Sequence, residues 1–222
     1  MNRKPKPSSP ASRVLKIDPA LPAPDKIDQA VEIVRKGGVI AFPTQCLYGL
    51  AANALSPESV AKVFRAKRRP SEKPLLILIK DRAALSRLVK RIPRAAERLM
   101  DHCWPGSVTL VFEAQDHLSE DLTAGSGKIG IRLPLHPVAR ALADAAEFPL
   151  TGTSANISDQ PGCFRAEDLD PELAASLDLI LDAGPLKGGV GSTVVDVTVR
   201  PPVVLREGEV PAARIFKILG NT

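Results

Sequence analysis

Lys67-Arg68-Arg69-Pro70-Ser71-Glu72-Lys73-Pro74 is the stretch whose setting decides the fold. It puts four cations in eight residues, between a helical pattern and an apolar run. Upstream, Ser56-Pro57 reads as an N-cap followed by proline at the first helical position, and Val60, Val63 and Phe64 recur at helical spacing. Downstream, Leu75-Leu76-Ile77-Leu78-Ile79 has the length and composition of a strand buried on both faces. The cations therefore emerge at a helix-to-strand junction, where a loop on a rigid scaffold presents side chains to a ligand. Pro70 and Pro74 stiffen its path. From Lys62 to Arg94 the chain carries twelve Lys or Arg against Glu72 and Asp81 alone, a surplus that asks for an anion. A solvated basic face is the plain alternative.

The 222 residues, 44% of them hydrophobic, suffice for one domain with a substantial core. Residues 25–219 are assigned to that domain, and residues 1–24, rich in proline, serine and lysine, to a disordered basic tail. The net charge of +5 sits in residues 1–16, in Arg3, Lys4, Lys6, Arg13 and Lys16 with no acid; the remainder balances 25 basic against 25 acidic residues. Within that remainder an acidic stretch from Asp144 to Asp182 offsets the 62–94 surplus, which predicts a polarised surface. No apolar run approaches the roughly 18–20 residues that cross a bilayer, so no membrane is expected. No secretory signal is visible behind the basic N-terminus. Cys46, Cys103 and Cys163, odd in number and widely spaced, read as reduced thiols of a cytoplasmic protein.

Along the chain, Asp25 is expected to cap a helix with Ile27, Ala30, Val31 and Val34 on one face and Gly37-Gly38 at its end. Val39–Phe42 follows as a short strand, and Pro43–Leu50 as the turn after it. Beyond the basic loop come helical patterns at 82–90 and 93–102, a break at Trp104-Pro105-Gly106, and strands at Val108–Phe112 and Lys128–Leu133. In the latter, Ile129 and Ile131 face one way, Gly130 and Arg132 the other. A helix over 137–146 leads into the polar turn Gly152–Asn156. A helix near 171–177, strands at Leu179–Leu181, Val194–Val199 and Val203–Leu205, and a helix near 211–219 complete the chain. Helices and strands in alternation give the α/β class with a largely buried sheet.

Several motifs fail on context. Gly125-Ser-Gly127-Lys-Ile-Gly130 precedes a strand instead of joining strand to helix, so it is no dinucleotide fingerprint. Gly188-Gly-Val-Gly191-Ser192-Thr193 lacks the lysine and the helix of a phosphate loop. Gly152-Thr-Ser154-Ala-Asn156 lacks the second glycine of a nucleophile elbow. His102, His117 and His136 have no ligand spacing, so no protein-built metal site is argued; His136 beside Pro137 caps or packs.

What survives is a set of turns at strand ends: Thr44–Tyr48, Lys67–Lys73, Arg132, Ser154–Asn156, Ser192-Thr193 and Arg206. Guanidinium and ammonium groups bind phosphate or carboxylate, and hydroxyl and amide groups orient it. No activated nucleophile accompanies them. Such a site works by positioning and charge stabilisation, which suits nucleotidyl transfer.

These turns, in this order, resemble the YrdC-like family of bacterial L-threonylcarbamoyladenylate synthases. The matching pieces are Gly37–Thr44 through Tyr48-Gly49-Leu50, Lys67–Pro70, Trp104-Pro105-Gly106, Ile131-Arg132, Ser154–Ser158 and Ser192–Asp196, over about residues 26 to 210. The extra C-terminal domain of longer members is not among them, so the short form is expected. The resemblance implies a twisted mixed α/β sheet with flanking helices and a concave basic cavity. It implies synthesis of threonylcarbamoyl-AMP from L-threonine, bicarbonate and ATP, with Mg2+ carried on the phosphates. Transferase partners then move the threonylcarbamoyl group onto tRNA, and RNA contact through the basic face is possible. By position, Lys67, Arg69, Ser154 and Asn156 are the catalytic set. Thr44, Cys46, Tyr48, Arg132 and Ser192 are implied in threonine binding. Lys67, Arg69, Lys73, Lys128, Asn156 and Arg206 are implied in ATP binding. The chain departs from the family at Cys46, Lys73, Leu78, Lys128 and Asp159. A YciO-like paralogue and a non-catalytic RNA-binding protein are the alternatives.

Overall fold

Central strands buried on both faces, more exposed edge strands and helices with one apolar stripe build the protein, and a computed structural model describes residues 13–220. The strands are β1 (Val14–Lys16), β2 (Ile40–Pro43), β3 (Tyr48–Ala51), β4 (Leu76–Leu78), β5 (Val108–Glu113), β6 (Lys128–Arg132), β7 (Leu150–Thr151), β8 (Thr153–Ser154), β9 (Leu179–Asp182), β10 (Thr193–Asp196) and β11 (Val203–Arg206). The helices are α1 (Pro24–Arg35), α2 (Pro57–Lys67), α3 (Leu85–Leu88), α4 (Arg94–Cys103), α5 (Glu120–Thr123), α6 (Pro137–Ala145), α7 (Pro171–Ala175) and α8 (Ala212–Leu219).

They form two mixed sheets, of order β1-β9-β2-β3-β8 and β11-β10-β5-β6-β4-β7. The chain passes from the second to the first at Gly152, the one residue between β7 and β8. A Cβ there would meet Leu76 Cδ1 at 2.7 Å and Leu78 Cγ at 2.8 Å, so any larger residue at the crossing would push those leucines aside. On one side α1 and α6 bury Ile27, Val31, Val138 and Leu142 with Ile40, Phe42 and Leu179. A second, larger core joins Val60 and Val63 of α2, Leu99 of α4, Leu110, Phe112, Ile129, Ile131 and Ile215.

The entry to α2 follows the sequence: Ser56 Oγ accepts the Ser59 amide, Pro57 opens the helix, and the helix closes at Arg68 with φ 49°. His136 caps α6, its Nδ1 accepting the Val138 amide at 3.2 Å. Three expectations are corrected. The cap of α1 is Ala23, with Asp25 inside the first turn, where its charge favours the helix N-terminus without a capping bond. Tyr48–Leu50 is strand, not turn, because β3 pairs antiparallel with β2. Of the proposed tail, residues 1–12 lie outside the described residues, but Val14–Lys16 is a strand parallel to β9. It is held by that ladder, by buried Ile17, and by Arg13 Nη1 donating to Ala175 O at 2.7 Å.

Five of the 62–94 cations are paired with acids. Arg68 pairs with Glu172, Lys73 with Asp159, Arg82 with Asp101, Lys90 with Asp116 and Arg91 with Glu113. Two of these acids, Glu172 and Asp159, come from the acidic stretch, so part of the expected polarity is neutralised locally.

Candidate active site

The period of two along the strands makes the site. Leu110, Phe112, Ile129, Ile131 and Val195 point into the larger core. Their alternates, Thr109 and Val111 of β5, Lys128, Gly130 and Arg132 of β6, and Val194 and Asp196 of β10, line a cavity of about 610 Å³. The turn before β3, Arg69 and the turn after β8 form the opposite wall, and Val190, Leu205, Arg206 and Glu209 belong to its lining as well.

Ten of the twelve residues singled out in the sequence line this cavity: Thr44, Cys46, Tyr48, Arg69, Lys128, Arg132, Ser154, Asn156, Ser192 and Arg206. Lys67 and Lys73 do not. Lys67 is buried at the end of α2, where Nζ donates to Ser154 O at 2.5 Å and to Asn156 O at 2.7 Å. Burial, with the Arg69 charge second, pulls its pKa down to about 7. Lys73 is bound to Asp159 at 2.7 Å, off the cavity wall.

Arg132 is the most telling group. It is 8% exposed, and its buried Nε has no partner among the described residues. Burial pulls its pKa down to about 10, which leaves it charged at neutral pH. A buried, unpaired guanidinium is costly unless an anion completes it. Arg69 uses Nε and Nη2 on the carbonyls of Lys73 and Pro74. Arg206 spends Nε and Nη2 on Ser192 O, which fixes it beside the Ser192 hydroxyl at 3.4 Å. Ser192 Oγ in turn shares a 2.8 Å hydrogen bond with Thr109 Oγ1.

The cavity thus holds Arg69, Lys128, Arg132 and Arg206 against two carboxylates, Asp196 and Glu209. Both acids are engaged, Asp196 with Lys128 at 2.9 Å and Glu209 with Lys187 at 2.7 Å. The net field favours an anion. Ser154 Oγ donates to Asn156 Oδ1 at 2.5 Å, and Asn156 Nδ2 donates to Ile157 O and Gln160 O, so this turn is rigid. Thr44 Oγ1 closes its own turn on Leu47 O at 2.6 Å. Tyr48 spends its hydroxyl on Gly184 O at 2.8 Å and serves as wall. The Cys46 thiol is pushed up to about 11, by burial first and then by Glu209, so it is a neutral lining group and no nucleophile. Among the described residues no three His, Cys, Asp or Glu gather to hold a metal. Glu209 and Ser107 line the cavity without having been singled out in the sequence. A single acid in an irregular loop carries no periodic signal.

Fold and cavity define an α/β protein with an anion-binding cleft against the face of a mixed sheet. The chain belongs to the Sua5/YciO/YrdC family, whose model, described as "Telomere recombination", matches residues 32–208. It is 39% identical over 196 residues to the threonylcarbamoyl-AMP synthase of Pyrococcus abyssi, covering 88% of this chain and 58% of that one. It is similar to the crystal structure of P. abyssi Sua5 complexed with L-threonine (TM-score 0.89, 36% identity, 94% of this chain and 61% of that one). The structure of E. coli YciO also matches (TM-score 0.83, 32% identity, 92% of this chain and 98% of that one).

Proposed function

We propose that this chain is an ATP-dependent nucleotidyltransferase that joins L-threonine, bicarbonate and ATP into L-threonylcarbamoyl-AMP and releases pyrophosphate, in the service of tRNA threonylcarbamoyladenosine modification. The observation that carries this is the buried, unpartnered Arg132 Nε in one cavity with Arg69, Arg206 and the Ser154–Asn156 turn. One site then offers a carboxylate clamp and a phosphate clamp. The name of the Pyrococcus relative and the L-threonine in the Sua5 crystal support the reading.

In this reading Arg132 holds the threonine carboxylate, with Ser192, Thr44 and Cys46 around the rest of the amino acid. The amine and bicarbonate combine with loss of water to a carbamate. A carbamate oxygen attacks the α-phosphorus of ATP, and the bond to pyrophosphate breaks. Arg69 and Arg206 neutralise charge that develops on the phosphates, while the Ser154–Asn156 turn orients them. Lys67 positions that turn from behind. Magnesium comes with the triphosphate as part of that substrate. Carbamate and adenylate are both labile to water, so the reaction requires the site to be shielded from it. Work in the cytoplasm beside transferase partners, and tRNA contact through exposed Arg65 and Arg87, belong to the same reading.

A second reading is favoured by one observation: this chain covers 98% of YciO. Lys67, Arg69 and Asn156 argue for the synthase instead. Pyrophosphate release that needs threonine and bicarbonate together is the test.

A further inference from the structure

The two carboxylates in the cavity have no part in the scheme above, and one of them lies near Arg132. Glu209 follows β11 in an irregular segment and lines the cavity. Lys187 Nζ donates to its Oε1 at 2.7 Å, and Ser107 Oγ donates to Oε2. An ionised carboxylate has about four acceptor positions, so two remain open. Cys46 O accepts the amide of Gly188, next to Lys187, and Leu133 O accepts the amide of Gly106, next to Ser107, so both partners of Glu209 tie it to the neighbourhood of Cys46 and Arg132. Arg132 in turn feels Glu209. The three groups therefore share one end of the cavity. The other cavity acid, Asp196, lies towards the far end. Its partner Lys128 stands four residues from Arg132 along β6, about 13 Å away at the usual strand rise.

An amino acid presents a carboxylate and an ammonium separated by a single carbon. Arg132 alone would accept any small carboxylate. Glu209 supplies the opposite charge at the same end, where the neutral Cys46 thiol also lines the wall. We propose that Glu209 receives the amino group of the amino acid whose carboxylate lies on Arg132. This rests on the amino-acid reading of the cavity. Burial by itself would raise the Glu209 pKa, but the hydrogen bonds from Lys187 and Ser107, with the Lys187 charge, outweigh it and hold the group below the usual carboxylate range. It is therefore ionised at neutral pH, where a free amino acid carries its ammonium.

Lys187 gives a rival role its own test. It belongs to the glycine-rich loop, whose Gly188 amide donates to Cys46 O at 3.0 Å. A Glu209 that merely anchors this loop would act through Lys187.

The experiment is calorimetric binding of L-threonine and of its 2-hydroxy analogue, in which a hydroxyl replaces the amine. It is run on the wild type, Glu209→Gln and Lys187→Ala. The wild type is expected to prefer the amino acid on the order of 10- to 100-fold, the worth of one charge-assisted hydrogen bond. Glu209→Gln is expected to lose that preference while it binds the hydroxy acid at least as tightly as the wild type, which also shows that its site is folded. Lys187→Ala is expected to keep the preference. An unchanged preference in Glu209→Gln overturns the proposal. Equal loss in both variants overturns it too, by assigning Glu209 to the loop. Wild-type protein that binds neither ligand overturns the amino-acid reading, and the proposal with it.

Discussion

Lys67 sits beneath Asn156: its Nζ lies 2.7 Å from the Asn156 carbonyl oxygen and 3.3 Å from Oδ1, with Ser154 O at 2.5 Å on the same nitrogen. The lysine therefore holds the turn from behind, and the turn meets the cavity. Three acceptors match the three protons of an ammonium; a neutral amine has two.

This placement makes stability depend on pH. The folded pKa of about 7 lies below the ordinary 10.5, so the unfolded chain binds more protons between those values. The contribution of Lys67 is thus least favourable below the folded pKa and improves as pH rises towards the unfolded one. Lys67→Met removes it. Urea titrations at about pH 7, 8.5 and 10 should show the wild type gaining on Lys67→Met by up to about 1.4 kcal/mol per pH unit. A flat difference would return Lys67 to an ordinary pKa.

Arg132 should trade stability for function. Its buried Nε is unpartnered, so Arg132→Met should raise the stability of the ligand-free protein by about 1–3 kcal/mol. The same change should lower threonine-dependent pyrophosphate release by at least about 10²-fold. Thermal melts and a pyrophosphate assay on one preparation check both. A less stable but active variant would remove Arg132 from the site.

Arg69→Ala should leave the fold in place and reduce pyrophosphate release by on the order of 10²–10³. Saturating ATP should not restore the rate if Arg69 acts on charge that develops during transfer. Full recovery at high ATP would limit it to ground-state binding.

The sheet crossing has its own prediction. In Gly152→Ala the new Cβ would lie 2.7–2.9 Å from Leu76 and Leu78 side-chain carbons. Overpacking of this kind costs about 1–3 kcal/mol, which denaturant unfolding would measure. Because Leu76 and Gly152 both line the cavity, affinity for ATP should weaken in the same variant.

Local signals made much of this legible. The Ser56-Pro57 entry, the β4 run and the alternation in β6 are encoded in a few adjacent residues, and the alternation alone puts Arg132 opposite the core. β1, β3, β7 and β8 were not legible. They span two to four residues each and owe their existence to partners far along the chain, as Leu15 pairs with Leu181. Within the site, Lys67 and Arg69 look alike in sequence. Tertiary packing of the last turn of α2 buries the first and leaves the second on the wall. Glu209 was missed because its company, Lys187 and Ser107, comes from distant loops.

The central claim is that one cavity takes a nucleotide and an amino acid together. Purified protein given ATP, L-threonine and bicarbonate, with each withheld in turn, tests it directly. The account predicts pyrophosphate release only when all three are present, with a threonylcarbamoyl-adenylate detected by mass spectrometry. Pyrophosphate release indifferent to threonine, or none at all from folded protein that binds ATP, would contradict it.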